Sequence, residues 1–436
     1  MGVLDGGLSR ARLERLREIV AGAVECGDVP GAVALVHRRG ETHVVALGAM
    51  GFGDDTSGTP MRADTIFRIS SMTKPIIAVA AMILVEECRL RLDDPVDDLL
   101  PELAGRRVLR RPDGRLEDTV PAERSITVRD LQTFRAGIGM VTAPPGGCPI
   151  QRAMEESGLA IGPDGPPCGP DEWMARLGAL PLVHQPGTAW MYHTSADVLG
   201  VLIARATGRP LGDFLRERVF EPLGMHDTGF HVPSVHLARL APCYASAPEP
   251  VPAGESEAVV RQGEPGAAGE PEAGAHGGES GGPVLREEPQ RGSWERAPVF
   301  PSGAGAPGLV STAGDYLTFL RMLLDKGRCA GGGRILSRPA VELMTTDHLT
   351  PAQKAGNEVF LDRGGWGFGL AVDARREDLA VGPGRFGWTG GLGTEGYADP
   401  AEDLAGVLMT QRALDSPSPP RLFQDFWTAA YAAIDD

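Results

Sequence analysis

Residues 71–88, SMTKPIIAVAAMILVEEC, constrain the fold of this chain more than any other stretch. Ile76, Ile77, Val79, Ala80, Ile83 and Leu84 recur at helical spacing and cover much of the surface of one helix. Such a helix has little polar surface to show to water, so it is predicted to sit buried in the middle of a large core. Its apolar run, residues 75–85, is too short to cross a bilayer.

The rest of the chain supplies the layers around that helix. Ser9 is placed to cap a first helix whose stripe is Leu13, Leu16, Ile19, Val20 and Val24. Residues 31–40 and 42–50 read as two strands split by a short turn, the pattern of an antiparallel hairpin. Residues 92–230 carry turns and short amphipathic helices, clearest in VRDLQTF after Thr127 and at residues 195–207. A helix over 312–325, three strand-like pieces (WGFGLAVDA, FGWTGGLGTEGYADP and DLAGVLMTQ) and a last helix, LFQDFWTAAYAAI, close the chain. This order predicts an α+β fold: an antiparallel sheet whose first strands pair with its last, flanked by the terminal helices, with a mostly helical region inserted. The implied parts are residues 1–90, 91–310 and 311–436. Residues 245–296, crowded with Gly, Pro, Ala and Glu, are predicted to form a flexible acidic insert that buries too little to repay ordering.

A formal net charge of -16 argues against nucleic acid as a partner, since phosphate binding needs concentrated Lys and Arg. The N-terminus has no unbroken apolar segment followed by a small-residue cleavage site, so a cytoplasmic location and six free thiols are expected. Neither the cysteines nor the nine histidines show metal-ligand spacing, and no metal or cofactor is expected.

Lysine occurs only at positions 74, 326 and 354, so a lysine beginning an apolar helix needs a reason. Ser71 and Lys74 stand three apart, which puts both side chains on one face. A serine hydroxyl is a weak nucleophile without a base in hydrogen-bond reach. A lysine drawn into apolar surroundings loses preference for its charged form and can take that proton, or it can stay charged and lower the pKa of a second base. The ordinary alternative is that Ser71 caps the helix and Lys74 extends to water; Ser70 is a second hydroxyl nearby. Tyr192 in PGTAWMYHTSADVLG lies between a turn and a helix, where a phenol can face a cleft and serve as base or acid, with packing as the bland reading. His193 titrates near neutrality, but consecutive residues point apart, so one of the two faces away. In GWTGGLGT (387–394), strand glycines mark a close backbone approach; the Gly391 and Ser71 amides are the candidate oxyanion hole, a tight turn the plain alternative.

Together these residues resemble the serine β-lactamase and penicillin-binding protein family, most of all its class C β-lactamase-like carboxylesterases. SMTK matches the family's S-x-x-K, YHTS falls where class C enzymes carry Y-x-N, and WTGG falls where they carry K-T-G. FEPLGMHDTGF and GLVSTAGDYLTFLRMLL also look like this family. The resemblance implies a β-lactamase/transpeptidase-like fold, Ser71 as nucleophile, Lys74 and Tyr192 as proton-transfer groups, Gly391 as oxyanion donor, and Trp388, Thr389, Gly390 and His193 as substrate-binding residues. Trp388 replaces a lysine that holds the substrate carboxylate in β-lactamases, and Thr194 replaces the asparagine. An indole offers an apolar wall and one N–H donor, which favours esters of short or moderate acyl chains over penicillins. Arg385 is nearby as a possible substitute cation. The alternatives are a β-lactamase or D-amino-acid peptidase or amidase, an acyltransferase using the same acyl-enzyme, and a non-catalytic binding protein. The partner implied is a small ester or amide; oligomeric state has no signature here.

Overall fold

In the computed structural model the first and last strands lie side by side in one sheet. The structure describes residues 6–141, 143, 146–162, 165–246, 285–287, 294–305, 307–361 and 364–436. In chain order the elements that frame the site are helix α1 (Arg10–Glu25), strands β1 (Gly31–Arg38), β2 (Glu41–Gly48) and β3 (Ile66–Ser70), helices α2 (Thr73–Glu86) and α3 (Thr194–Thr207), and strand β4 (Leu309–Thr312). Helix α4 (Ala313–Leu324), strands β5 (Gly364–Trp366), β6 (Ala371–Asp373), β7 (Phe386–Gly390), β8 (Thr394–Asp399) and β9 (Leu404–Thr410), and helix α5 (Arg421–Ala432) complete the set.

Seven strands form one antiparallel sheet in the order β2-β1-β9-β8-β7-β6-β5. The predicted junction of early and late strands is the β1–β9 ladder, with Leu35 opposite Val407. The hairpin β1–β2 closes at Arg39 and Gly40, both at positive φ (46° and 86°), the backbone a two-residue hairpin turn requires. Every residue of β1 is buried because helices cover both faces. Ala32, Ala34 and Val36 face the layer made by Leu13, Leu16 and Val20 of α1 and Phe423, Phe426 and Trp427 of α5. Val33 and Leu35 face the larger core with α2 and α4. Glycines let both layers approach: a Cβ on Gly406 would lie 2.7 Å from the Trp427 ring, and one on Gly396 2.7 Å from Tyr316.

Helix α2 is the buried element the sequence demands, with Thr73 through Leu84 all inaccessible. It starts two residues later than the pattern suggests, so Ser71 lies in the turn that leads into it. The shorter helix after Thr127, Val128–Gln132, carries a full capping box between Thr127 and Asp130. Ser9 occupies the N-cap of α1, but its side chain makes no cap bond; its N–H donates instead to the Ala433 carbonyl at 2.7 Å, joining the start of α1 to the end of α5. The borders of the expected insert are ordered. Tyr244–Ser246 pairs antiparallel with Leu285–Glu287, and the Arg68 guanidinium lies 5.5 Å from the Trp294 ring. Residues 247–284 and 288–293 lie outside the described residues. Among the described residues no helix is long and apolar enough to cross a membrane.

Candidate active site

Strand β3 ends at Ser70, whose φ of +44° turns the chain sharply into α2. Its hydroxyl donates to the Gly305 carbonyl at 3.0 Å, which pins the turn and takes this second hydroxyl out of contention as nucleophile. Ser71 follows, and its carbonyl accepts from the Lys74 N–H at 3.1 Å. Lys74 Nζ lies 2.9 Å from Ser71 Oγ. It also donates to the Ala304 carbonyl. At 1% exposure the lysine does not reach water. Burial pulls its pKa down to about 7, with the Asp197 carboxylate opposing the shift. Burial pushes Asp197 up to about 6. That carboxylate accepts from Ser302 Oγ at 2.8 Å and from the Ala304 N–H at 3.0 Å.

Tyr192 arrives from the other side. The residue after it, His193, has φ +85° and ψ -77°, a strained γ-turn conformation rare outside such corners. The corner sends the two neighbouring side chains apart, as consecutive residues must be. Tyr192 shares the lining of one cleft with Ser71. Trp388 Nε1 donates to the Tyr192 phenolic oxygen at 2.8 Å. Lys74 Nζ sits 4.5 Å from the centre of the phenol ring. Burial nevertheless raises the Tyr192 pKa to about 12, against the lowering effect of the Ser71 and Trp388 hydrogen bonds. At neutral pH it is a phenol, so a standing tyrosinate is not what this site holds. His193 points behind the site, its Nε2 3.7 Å from Asp197 Oδ2, and burial and Lys74 hold its pKa far below the ordinary value.

A cleft of about 630 Å³ opens beside Ser71, lined among others by Tyr192, Phe360, Trp388, Thr389 and Gly391. Gly391 follows β7, and its carbonyl accepts from the Leu414 N–H at 2.8 Å. Gly390 does not face this cleft's lining; a Cβ there would meet the Ile69 carbonyl at 2.4 Å, so it serves to bring β7 against β3. Nor does His193 line it; the small cavity it borders, of about 20 Å³, is shared with Leu159 and Trp173. The structure therefore gathers Ser71, Tyr192, Trp388, Thr389 and Gly391 around one cavity with Lys74 just behind, and leaves Gly390 and His193 outside. Arg385 reaches the cleft, but its guanidinium is paired with Asp373 at 3.0 Å and lies 4.1 Å from the Tyr397 ring and 4.4 Å from that of Trp427. The cation suggested as a replacement carboxylate anchor is thus already neutralised. Among the described residues no group of His, Cys, Asp and Glu is arranged to hold a metal ion.

Residues 16–425 match the family model described as Beta-lactamase. The chain belongs to the β-lactamase family. Within this β-lactamase family it is 37% identical to Protein Rv1367c of Mycobacterium tuberculosis, over 90% of this chain and 88% of that one. It is 32% identical to Esterase EstB of Burkholderia gladioli, over 89% and 88% of the two chains. Among solved structures, EstCE1, titled a hydrolase with promiscuous acyltransferase activity, superposes with a TM-score of 0.73 at 23% identity, over 97% of this chain and 99% of its own, which speaks to the fold. The chain is an enzyme of the serine-hydrolase type on the β-lactamase fold.

Two parts of this β-lactamase-family site escaped the sequence reading. Asp197 is a carboxylate in the first turn of α3, within its fully buried stretch Thr194–Ile203, and a charged residue just ahead of the apolar run VLGVLI is the signal that could have revealed it. The Ser302–Gly305 turn, which bonds Lys74, Asp197 and Ser70 at once, has no comparable signal, because apart from the Ser302 hydroxyl its contacts are made by backbone groups.

Proposed function

We propose that the protein hydrolyses carboxylic esters through an acyl-enzyme on Ser71. The observation that carries this reading is the 2.9 Å contact of Ser71 Oγ with Lys74 Nζ, which itself lies 4.5 Å from the centre of the Tyr192 ring. Trp388 N–H donates to the phenolic oxygen, which leaves the phenol's own proton available to a group in the cleft. The Ser71 proton is then free to pass to Lys74, whose pKa of about 7 leaves a good part of it unprotonated at neutral pH, as Tyr192 is not. The serine oxygen attacks the ester carbonyl while the Ser71 and Gly391 amides hold the developing oxyanion. Tyr192 protonates the departing alkoxide and is resupplied from Lys74. Water, deprotonated by the same groups, releases the acid and restores Ser71.

Neutral esters of short or moderate acyl chain fit better than β-lactams, because a neutral indole stands at position 388 and Arg385 is engaged by Asp373. The relatives' names support the same class: EstB is an esterase. Acyl transfer to an alcohol is the second reading, favoured by a cleft far larger than a water molecule needs. The test is intact-mass detection of an adduct after exposure to a fluorophosphonate, p-nitrophenyl esters and a cephalosporin, with Ser71→Ala as control. Ester adducts on Ser71 that turn over are expected; faster turnover of the cephalosporin than of the esters refutes the substrate class.

A further inference from the structure

We propose that Phe360 is a specificity-determining residue that selects apolar, aromatic alcohols on the leaving-group side of the cleft. The proposal rests on the esterase reading above and names the half of the substrate that reading leaves open. Phe360 belongs to the short helix Glu358–Leu361. Its ring stacks on that of Tyr192 with centroids 4.8 Å apart and planes at 26°, and it lies 6.5 Å from the Trp388 ring. It is half-buried, and Val359 beside it is 51% exposed in the same cleft. Met140 continues this wall.

The wall is fixed in place by contacts that involve no ligand. Asn357 Nδ2 donates to the Trp190 carbonyl at 3.1 Å. Gln353 Nε2 donates to the Gly187 carbonyl at 2.7 Å, and the Trp190 N–H returns to the Gln353 carbonyl at 3.0 Å. Lys354 pairs with Asp347 at 2.5 Å. Phe360 is therefore presented as a preformed surface, which lowers the ordering cost of binding.

The chemistry says which half of the substrate meets it. When the ester C–O bond breaks, the alkoxide oxygen must lie within hydrogen-bond reach of the Tyr192 hydroxyl to take its proton. The carbon skeleton on that oxygen then runs out past the phenol, over which Phe360 is stacked. On this proposal the acyl half, held at Ser71 with its carbonyl oxygen at the Ser71 and Gly391 amides, runs toward Thr389 and Gly391. In the second half-reaction the same place receives the acceptor. The bond between the acyl carbon and Ser71 Oγ breaks, a bond to the acceptor oxygen forms, and the acceptor's proton returns through Tyr192 and Lys74 to Ser71. An aromatic alcohol stacked on Phe360 thus gains both as leaving group and as acceptor.

The experiment compares the wild type with Phe360→Ala and Phe360→Leu. It measures kcat/KM for benzyl acetate, ethyl acetate and ethyl butyrate, and the partition of the acetyl-enzyme between water and added benzyl alcohol. Loss of an aromatic stacking partner is expected to lower the benzyl-to-ethyl preference by roughly three- to tenfold in Phe360→Ala, with Phe360→Leu between, and to lower benzyl alcohol capture in parallel. The butyrate-to-acetate ratio stays within about twofold, because the acyl half does not meet this ring. An unchanged benzyl-to-ethyl ratio in a variant that melts like the wild type, or a change confined to the acyl ratio, overturns the proposal. If Phe360→Ala does not fold, Phe360→Leu decides. If no ester acylates wild-type Ser71 although a fluorophosphonate labels it, the esterase reading fails first.

Discussion

Replacing Trp388 with phenylalanine deletes one atom pair of consequence. The indole Nε1 donates to the Tyr192 oxygen at 2.8 Å, and both residues are only 7% exposed. Phenylalanine keeps an aromatic ring against Trp366, whose centroid lies 4.7 Å away. The fold should therefore survive with a small loss of stability. In the ground state the bond joins two neutral groups, worth about 0.5–1.5 kcal/mol. If Tyr192 gives its proton to the leaving alkoxide as proposed, its oxygen gains negative charge, and a bond to a charged acceptor is worth about 1.5–3 kcal/mol. The difference, about 1–2 kcal/mol, is lost only in the transition state, which slows acylation roughly five- to thirtyfold. The loss should depend on the alcohol. Ethoxide needs its proton early, whereas p-nitrophenolate departs almost without one. In Trp388→Phe, kcat/KM for ethyl acetate should fall by the full factor and that for p-nitrophenyl acetate by about threefold or less. Equal losses for both esters, or none for ethyl acetate, would refute the assignment of Tyr192 as the acid held by Trp388.

Wild-type kcat/KM should lose activity below about pH 7, where Lys74 takes up a proton. Asp197 raises that pKa, so Asp197→Asn should let Lys74 lose its proton at lower pH and move the acid limb of the pH profile downward; an upward shift contradicts the reasoning. Lys74→Met removes the proposed base and should cut kcat/KM by about 10²- to 10⁴-fold while thermal unfolding shows no loss of stability, because a fully buried amine has been replaced by an apolar chain. Gly406→Ala puts a methyl 2.7 Å from Trp427 and should lower stability to urea by about 1–3 kcal/mol, with Ser71 labelling by a fluorophosphonate retained in the folded protein.

Local spacing made part of this enzyme legible from its residues alone. Helix α2 had to be buried because apolar side chains surround it, and β1 and β2 had to pair because two residues separate them. Ser71 and Lys74 had to meet because three residues of one turn allow little other separation. Chain folding decided what no window of sequence contains. Tyr192 and Trp388 are 196 positions apart, yet share a hydrogen bond. A single strained dihedral at His193 chose the phenol over the imidazole for the cleft. The protonation states followed from burial: a lysine pulled to about 7 and a tyrosine pushed to about 12 are properties of the surrounding dielectric and neighbours. Sequence carries the order of groups along a chain, whereas desolvation and long-range contact exist only once distant segments have packed.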